Sequence, residues 1–229
     1  MKQVWPGRLT PWSVVSVLAV SAVSAVYSGC AGGRSDPGFC GDAIWRGRRL
    51  YSVQPQKLSK LQIRMIGESF GSTKGHANCA DRSGDLTATD LPAGTSIFEI
   101  MGSDRDLRFA AGPKNALRIY EIDADPAATT GSDLLDLGNS IVSIRLVRDA
   151  DQEAIASWVS PSQVDALTNE LLNAPVENNS EVGDATYQLE FVRDDGTSSR
   201  MTLWPTSAVL GRGIALGALW KAELRRFIG

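Results

Sequence analysis

The first half of the chain alternates short apolar runs with clusters of turn-forming residues. Between residues 40 and 122, runs of aliphatic and aromatic residues are separated by groups of Gly, Pro, Asp and Asn. This spacing is typical of short β-strands joined by tight turns. The predicted strands are Ala43–Val53, Lys60–Ile66, Thr95–Met101, Leu107–Ala111 and Ala116–Ile122. We therefore expect a small β-barrel-like domain here.

The second half begins with a strand pattern followed by a helix pattern. Ser140–Val147 alternates with the period of a strand that has one buried face. Ser160 is placed to cap a helix, with Pro161 at its first position and Gln163 completing a capping box. Apolar residues then recur at helical spacing, at Val164, Leu167, Leu171 and Leu172. The pattern predicts a helix that ends before Pro175.

A hairpin and a second helix complete this half. Tyr187–Arg193 and Arg200–Trp204 flank Asp194-Asp195-Gly196-Thr197, and Asp-Gly readily adopts the turn conformations that reverse a chain. Gly217–Ile228 places Leu, Trp and Phe among Lys, Glu and Arg, as in an amphipathic helix. These patterns predict an α+β module in which one sheet packs against helices.

The first 29 residues carry only two charges. Lys2 and Arg8 precede an uncharged stretch from Val14 to Val26 that is rich in Val, Ala and Ser. A basic start followed by an apolar region is the pattern of a secretory signal peptide. The serines and the small residues at its end favour cleavage over a membrane-spanning helix, which needs about 20 mostly apolar residues.

The end of this segment resembles the lipobox of bacterial lipoproteins. In that family small residues precede a Cys that receives diacylglycerol and becomes the mature N-terminus, and Ser28, Gly29 and Cys30 match the pattern. The resemblance implies lipidation at Cys30 and a location at the extracytoplasmic face of the cell membrane. The alternative is an ordinary secretory signal that is cut after Ala22-Val23-Ser24 and leaves Cys30 as a thiol.

The count of three cysteines favours the lipid interpretation. In an oxidising compartment an odd Cys stays reactive unless something consumes it. With Cys30 on the lipid, Cys40 and Cys79 remain as one pair, and their disulfide would close a loop of 38 residues. The alternative is two buried thiols. Together with His76 they make an incomplete zinc ligand set, so we expect no metal site and no cofactor.

Charge bears on the possible partners. The chain has a formal net charge of −3, whereas a nucleic-acid-binding domain would show an excess of Lys and Arg. Removal of Lys2 and Arg8 with the signal peptide leaves a mature chain of charge −5. Two acyl chains give stable anchoring without a basic patch. The predicted partners are the membrane, through the lipid anchor, and an envelope protein or ligand of unknown identity, with no nucleic acid.

Two segments resemble lipoproteins of Gram-positive bacteria. One is a recurring segment of uncharacterised actinobacterial lipoproteins, matched here by Cys40, Trp45-Arg46-Gly47, Tyr51, Gly67, Cys79 and Asp81. The other is similar to an L-P-x-G-T-x-I-Y…G segment and is matched by Leu91-Pro92-Ala93-Gly94-Thr95-Ser96-Ile97-Phe98 and Gly102. These resemblances imply a secreted surface lipoprotein of unknown function.

One motif points to catalysis. Gly67-Glu68-Ser69-Phe70-Gly71 matches G-x-S-x-G, the strained turn that presents the nucleophile of many serine hydrolases. Such enzymes need a distant His on a large parallel sheet, whereas the one His of this chain, His76, follows seven residues after Ser69. We expect a Gly-rich turn between strands and assign no catalytic residue. A secreted serine hydrolase is the alternative.

Acidic residues and the last helix offer two further candidates. Acidic residues cluster between residues 123 and 153, but Ala128 and Leu134 occupy positions where a Ca²⁺-binding EF-hand needs Gly and an acid. We interpret the acids as solvated loop residues. Arg225 and Arg226 could touch anionic lipid or a partner, although such a helix more often packs its apolar residues into its own domain.

The predicted fold class is α+β. A small disulfide-linked all-β N-terminal module is followed by an α+β module of strand, helix, hairpin and helix. The predicted segments are a signal peptide (1–29), a flexible tether (30–38), the β-barrel-like domain (39–122), a linker (123–139) and the α+β domain (140–229). The predicted function is that of a membrane-anchored envelope lipoprotein with a binding or interaction role.

Overall fold

Two β-sheets form most of the structure. The computed structural model describes residues 42–58, 62–76, 84–138, 141–177 and 187–228. Fourteen strands and two α-helices lie in these ranges. The sheets contain eight and six strands.

The first sheet is built from the N-terminal part of the described chain. Its strands are β1 (Ala43–Gly47), β2 (Arg49–Lys57), β3 (Ile66–Ser72), β4 (Gly75–His76), β5 (Gly84–Ala88), β6 (Ser96–Ile100), β7 (Arg108–Ala111) and β8 (Arg118–Ala124). Their order across the sheet is β3-β6-β7-β8-β2-β1-β5-β4. Neighbouring strands are antiparallel except β4 and β5, which are parallel.

The chain itself joins the two edges of this sheet. β3 ends at Ser72 and β4 begins at Gly75, although these strands lie at opposite ends of the order. The Lys74 N–H donates to the Leu86 carbonyl on β5 over 3.0 Å. A Cβ at Gly71 would lie 2.9 Å from the Leu86 side chain, so a glycine permits this approach. The sheet therefore curls until its edges meet, and we call it the rolled sheet.

Aromatic rings fill the inside of the rolled sheet. The ring centroid of Phe109 lies 4.8 Å from that of Tyr51, 5.9 Å from that of Tyr120 and 6.0 Å from that of Phe70. Aliphatic residues complete this core, including Ile44, Ala88, Leu91, Ile97 and Ile122. Rings of this size contribute most of the apolar area that holds a small sheet together.

The second sheet is covered by the two helices. Its strands are β9 (Ile141–Arg148), β10 (Ala154–Trp158), β11 (Tyr187–Arg193), β12 (Ser198–Trp204), β13 (Val209–Leu210) and β14 (Ile214–Ala215), in the antiparallel order β10-β9-β11-β12-β13-β14. The helices are α1 (Pro161–Leu172) and α2 (Ala218–Ile228). Leu167 of α1 and Trp220 of α2 are buried with the strand residues Ile144, Leu189 and Phe191.

A short segment between the sheets contributes to both cores. Leu134 is buried in the core of the rolled sheet, whereas Leu135 and Leu137 are buried in the core of the second sheet. Near this segment a Cβ at Gly131 would lie only 1.9 Å from the Leu171 carbonyl oxygen, so a glycine is required where the segment crosses the end of α1. The segment thus ties the two sheets together.

The predicted fold class is wrong. The described chain is mostly β, with two large sheets and only two α-helices, rather than a small all-β module followed by an α+β module. The error arises because short or Gly-rich strands give little periodic signal. The sequence patterns do not predict β3, β4, β5, β10, β13 or β14. Cys40 and Cys79, the predicted disulfide, lie outside the described residues.

Two strand predictions in the first half are also wrong. Ala43–Val53 is not one strand, because Gly47 has a φ of +64° and the chain reverses there between β1 and β2. Within Lys60–Ile66, residues 62–65 form a 3-10 helix and β3 begins only at the end of the predicted strand. The Gly67–Gly71 run is part of β3 and not a turn between strands.

Several predicted elements are confirmed. β6, β7, β8, β9, β11 and β12 overlap the predicted strands, and both helices lie where the patterns place them. The hairpin between β11 and β12 is closed by the Arg193 N–H donating to the Thr197 carbonyl over 2.8 Å, with Gly196 at a φ of +76°. The capping box of α1 is wrong, because Ser160 makes no capping hydrogen bond with its side chain, which lies 3.2 Å from the Ser162 hydroxyl.

Candidate functional site

Charged residues meet where the rolled sheet contacts the second sheet. Arg108 on β7 and Glu121 on β8 are direct neighbours across the ladder. Arg193 is the last residue of β11, and Arg212 lies in the short 3-10 helix that precedes β14. We call these four residues the buried arginine cluster. All four have side chains that are nearly or fully buried.

The carboxylate of Glu121 is the centre of the cluster. Its Oε1 lies 3.0 Å from Arg108 Nε and 3.7 Å from an Arg193 guanidinium nitrogen. Its Oε2 lies 3.6 Å from an Arg212 guanidinium nitrogen. Ser199 on β12 donates its hydroxyl hydrogen to Oε1. One carboxylate thus faces three guanidinium groups supplied by both sheets.

Other polar groups complete the shell around the arginines. Arg108 donates to the Thr197 hydroxyl over 2.7 Å, and Arg193 donates to the Ser199 hydroxyl and the Asp136 carbonyl, each over 2.7 Å. Arg212 donates to the Leu134 carbonyl over 2.5 Å. The Nε of Arg193 is buried and has no hydrogen-bond partner among the described residues.

The cluster sets the ionisation of its members. Burial alone would raise the pKa of Glu121, but the three arginines and the Ser199 hydroxyl lower this pKa below its usual range. Burial lowers the pKa of Arg108, an effect that Glu121 opposes. The Glu121 carboxylate is therefore ionised at neutral pH, and its charge balances part of the buried positive charge.

Local sequence gives no sign of this cluster. Glu121 stands between Tyr120 and Ile122, so an alternating strand pattern places it on a solvent face. That face is covered by the β11–β12 hairpin, which lies about 70 positions later in the sequence. The contact depends on tertiary packing, which no short motif encodes.

A surface cavity opens on the rolled sheet. It has a volume of about 260 Å³ and is lined by Arg49, Asp104, Asp106, Leu107, Asp125, Ala127, Ala128, Ser132 and Asp133. We call it the carboxylate pocket. Four carboxylates and one guanidinium give its lining a negative charge and several hydrogen-bond donors and acceptors.

The carboxylates of this pocket already have partners. Asp125 accepts from Arg49 over 2.7 Å, and Asp106 accepts from Arg46 over 2.7 Å. Asp133 accepts from the N–H groups of Thr129 and Thr130, which lower its pKa. The pocket is therefore a preformed polar surface in which the acids are held by neighbouring groups.

The acidic residues considered for Ca²⁺ do not gather at one place. Asp125 and Asp133 line the carboxylate pocket, whereas Asp151 pairs with Arg148 on the second sheet over 2.7 Å. Within the part of the chain that the structure describes, no group of three or more His, Cys, Asp or Glu residues is arranged to hold a metal ion.

The serine of the G-x-S-x-G match lies inside a strand. Ser69 is on β3, which pairs with β6. Its hydroxyl donates to the Ile97 carbonyl at 3.1 Å and is 3.2 Å from the Gly71 carbonyl. The chain continues from β3 to β4 and not into a helix, so the nucleophile turn is not formed at this serine. The side chain of His76 lies outside the described residues.

The remaining site predictions fall outside the described ranges. Cys30, Cys40 and Cys79 are not among the described residues, so lipidation and the disulfide stay predictions. None of the helices in the described ranges is long and apolar enough to cross a membrane. Comparisons with family models, with curated proteins and with solved structures found no match.

Proposed function

We propose that this chain is a lipoprotein anchored to the cell membrane on its extracytoplasmic face. The observation that carries the proposal is the N-terminal pattern, in which Lys2 and Arg8 precede an apolar stretch that ends at Ser28-Gly29-Cys30. Two acyl chains on Cys30 supply stable attachment to a bilayer. Twelve positions separate Cys30 from Asp42, the first residue that the structure describes.

We further propose that the protein acts by binding and not by catalysis. The carboxylate pocket supports this role, because its negatively charged lining attracts a cationic or polar ligand. The Ser69 hydroxyl, which is the candidate nucleophile of the sequence, contacts the backbone carbonyls of Ile97 and Gly71 from within a strand. Both features fit a surface that recognises a ligand or an envelope partner.

The anchor is tested by the intact mass of the protein purified from the membrane fraction. We expect the mass of residues 30–229 plus diacylglyceryl in the wild type and loss of that addition in Cys30→Ser. The matched controls are Cys40→Ser and Cys79→Ser, which keep the lipid. An unlipidated wild type with three alkylatable thiols would overturn the proposal.

The hydrolase alternative to this binding role is tested with a serine-directed fluorophosphonate probe. We expect no labelling of Ser69 in the folded protein, because its hydroxyl donates to the Ile97 backbone carbonyl from within strand β3. Ser96→Ala serves as a control for the loss of a serine on the neighbouring strand β6. Labelling that disappears in Ser69→Ala and persists in Ser96→Ala would establish the hydrolase alternative instead.

A further inference from the structure

One edge of the second sheet has no described neighbour. β10 pairs with β9 on one side, and no described strand pairs with its other side. The opposite edge of the sheet differs, because β14 forms an isolated bridge from Ile214 to Val176. An open edge presents a row of backbone N–H and C=O groups that can pair with another strand.

Exposed apolar side chains continue this edge. Val159, directly after β10, is 66% exposed, and Phe227 of α2 is 44% exposed. The Phe227 ring lies 5.8 Å from that of Trp158, the last residue of β10, in an edge-to-face arrangement. We use the name β10 edge for the outer backbone of Ala154–Trp158 together with Val159 and Phe227.

The β10 edge lacks the charged side chains and prolines that often block strand pairing. Proteins protect open edges with Lys, Pro or inward-pointing charges, whereas Ala154–Trp158 reads Ala-Ile-Ala-Ser-Trp. The one irregularity is a bulge at the start of the strand, between Ala154 and Ala156. The rest of the strand is free of charge and of proline.

The more exposed member of the ion pair at each end of the strand is acidic at one end and basic at the other. Glu153 precedes β10 and is 67% exposed, with Arg148 as its partner at 3.6 Å. At the other end Trp158 donates to Glu223, which pairs with Arg226 at 3.2 Å, and the Arg226 side chain is 66% exposed. Antiparallel pairing of two such strands brings each negative end to the positive end of the other.

We propose that the β10 edge is a homodimer interface, in which the β10 strands of two copies pair antiparallel about a twofold axis. A twofold interface must be complementary to itself, and an uncharged strand centre with opposite charges at its ends meets that condition. Glu153 of each copy then lies near Arg226 of the other, and Val159 and Phe227 become buried. The two second sheets join into one antiparallel sheet, and the inference does not depend on the lipid anchor.

The first test is the oligomeric mass of the full protein, released from detergent micelles in native mass spectrometry. We expect a dimer in the wild type and in the control Met101→Lys, since Met101 is an exposed apolar residue in the turn after β6 of the rolled sheet. Val159→Lys and Phe227→Lys place charges in the interface and raise the dissociation constant by roughly tenfold or more. A monomeric wild type, or dimers that survive both changes, would overturn the proposal.

The second test asks whether the two charges meet between copies. Glu153→Arg and Arg226→Glu each place like charges across the axis, so each variant alone is expected to be monomeric. When the two variants are mixed, both contacts pair opposite charges again and a heterodimer is expected. A mixture that stays monomeric would contradict the proposed register, even if the wild type is a dimer.

A third readout separates this interface from a membrane contact. In the dimer, the amides of Ala154–Trp158 exchange with deuterium more slowly than in monomeric Val159→Lys. If instead these amides become protected only when anionic vesicles are added, the edge contacts lipid and the homodimer proposal is wrong.

Discussion

The second-sheet core and the buried arginine cluster between the two sheets are both inaccessible to solvent, but they are made of opposite kinds of residue. The core under α1 and α2 consists of aliphatic and aromatic side chains such as Leu167 and Trp220. The buried arginine cluster consists of three arginines and one glutamate, with the hydroxyls that bond to them, and lies beside the apolar segment that contributes to both cores.

The interactions that stabilise each sheet therefore differ from those that fix the position of one sheet relative to the other. Apolar burial is non-directional, so many arrangements of similar volume have comparable free energies. Charged groups in a dry contact tolerate few geometries, because each lost partner leaves an uncompensated charge. We infer that the apolar cores stabilise the sheets and that the buried arginine cluster fixes one sheet against the other.

Breaking the cluster at its centre is expected to have the largest effect. Glu121→Ala leaves three buried guanidinium groups without their carboxylate and should lower the free energy of unfolding by about 4 kcal/mol. Glu68→Ala, at an exposed position on β3, is the control and should change it by less than about 0.5 kcal/mol. Chemical denaturation of both variants at pH 7 measures the difference. If Glu121→Ala and Glu68→Ala change the free energy of unfolding equally, the cluster does not contribute to stability.

Removing apolar volume from the second core is expected to cost somewhat less. Leu167→Ala opens a cavity beneath α1 and should lower the free energy of unfolding by about 3 kcal/mol. Leu219→Ala removes the same atoms from an exposed position on α2 and should have little effect. Denaturation curves of the two variants measure this contrast. If Leu167→Ala lowers the free energy of unfolding only slightly, the core repacks around the cavity.

A smaller, pH-dependent effect distinguishes the cluster from the apolar core. The pKa of Glu121 is lower in the folded state than its ordinary value of 4.5. Its contribution to stability is therefore present above pH 4.5 and is lost as the pH falls through the folded pKa. The stability difference between wild type and Glu121→Gln should shrink on acidification from pH 7 to 3. The stability difference between wild type and Leu167→Ala should stay constant over the same pH range. If this difference also shrinks, the change seen for Glu121→Gln reflects general acid denaturation.

Sequence patterns predict the regular elements better than the architecture. The α1 stripe and the Asp195-Gly196 turn are local signals, and the structure has both a helix and a hairpin there. β3 escapes prediction because its glycines leave few side chains to alternate. The reversal at Gly47 escapes prediction because apolar residues lie on both sides of it, and a single glycine among arginines is a weak turn signal.

The contact between the sheets is beyond sequence reasoning for a physical reason. Glu121 and Arg193 are 72 positions apart, and each lies in a strand where a charged residue ordinarily faces solvent. Only the packing of the β11–β12 hairpin on the rolled sheet turns these positions inward. The predicted lipid anchor differs, because all the residues that indicate it lie in one short segment of the sequence.

Hydrogen–deuterium exchange of Glu121→Ala tests most directly whether the cluster holds the two sheets together. The account predicts faster exchange at β7 and β8 and, in the same variant, at the β11–β12 hairpin, because both sides of the contact lose their common partner. Glu68→Ala should exchange like the wild type. Faster exchange confined to the rolled sheet, with an unchanged β11–β12 hairpin, would contradict the account.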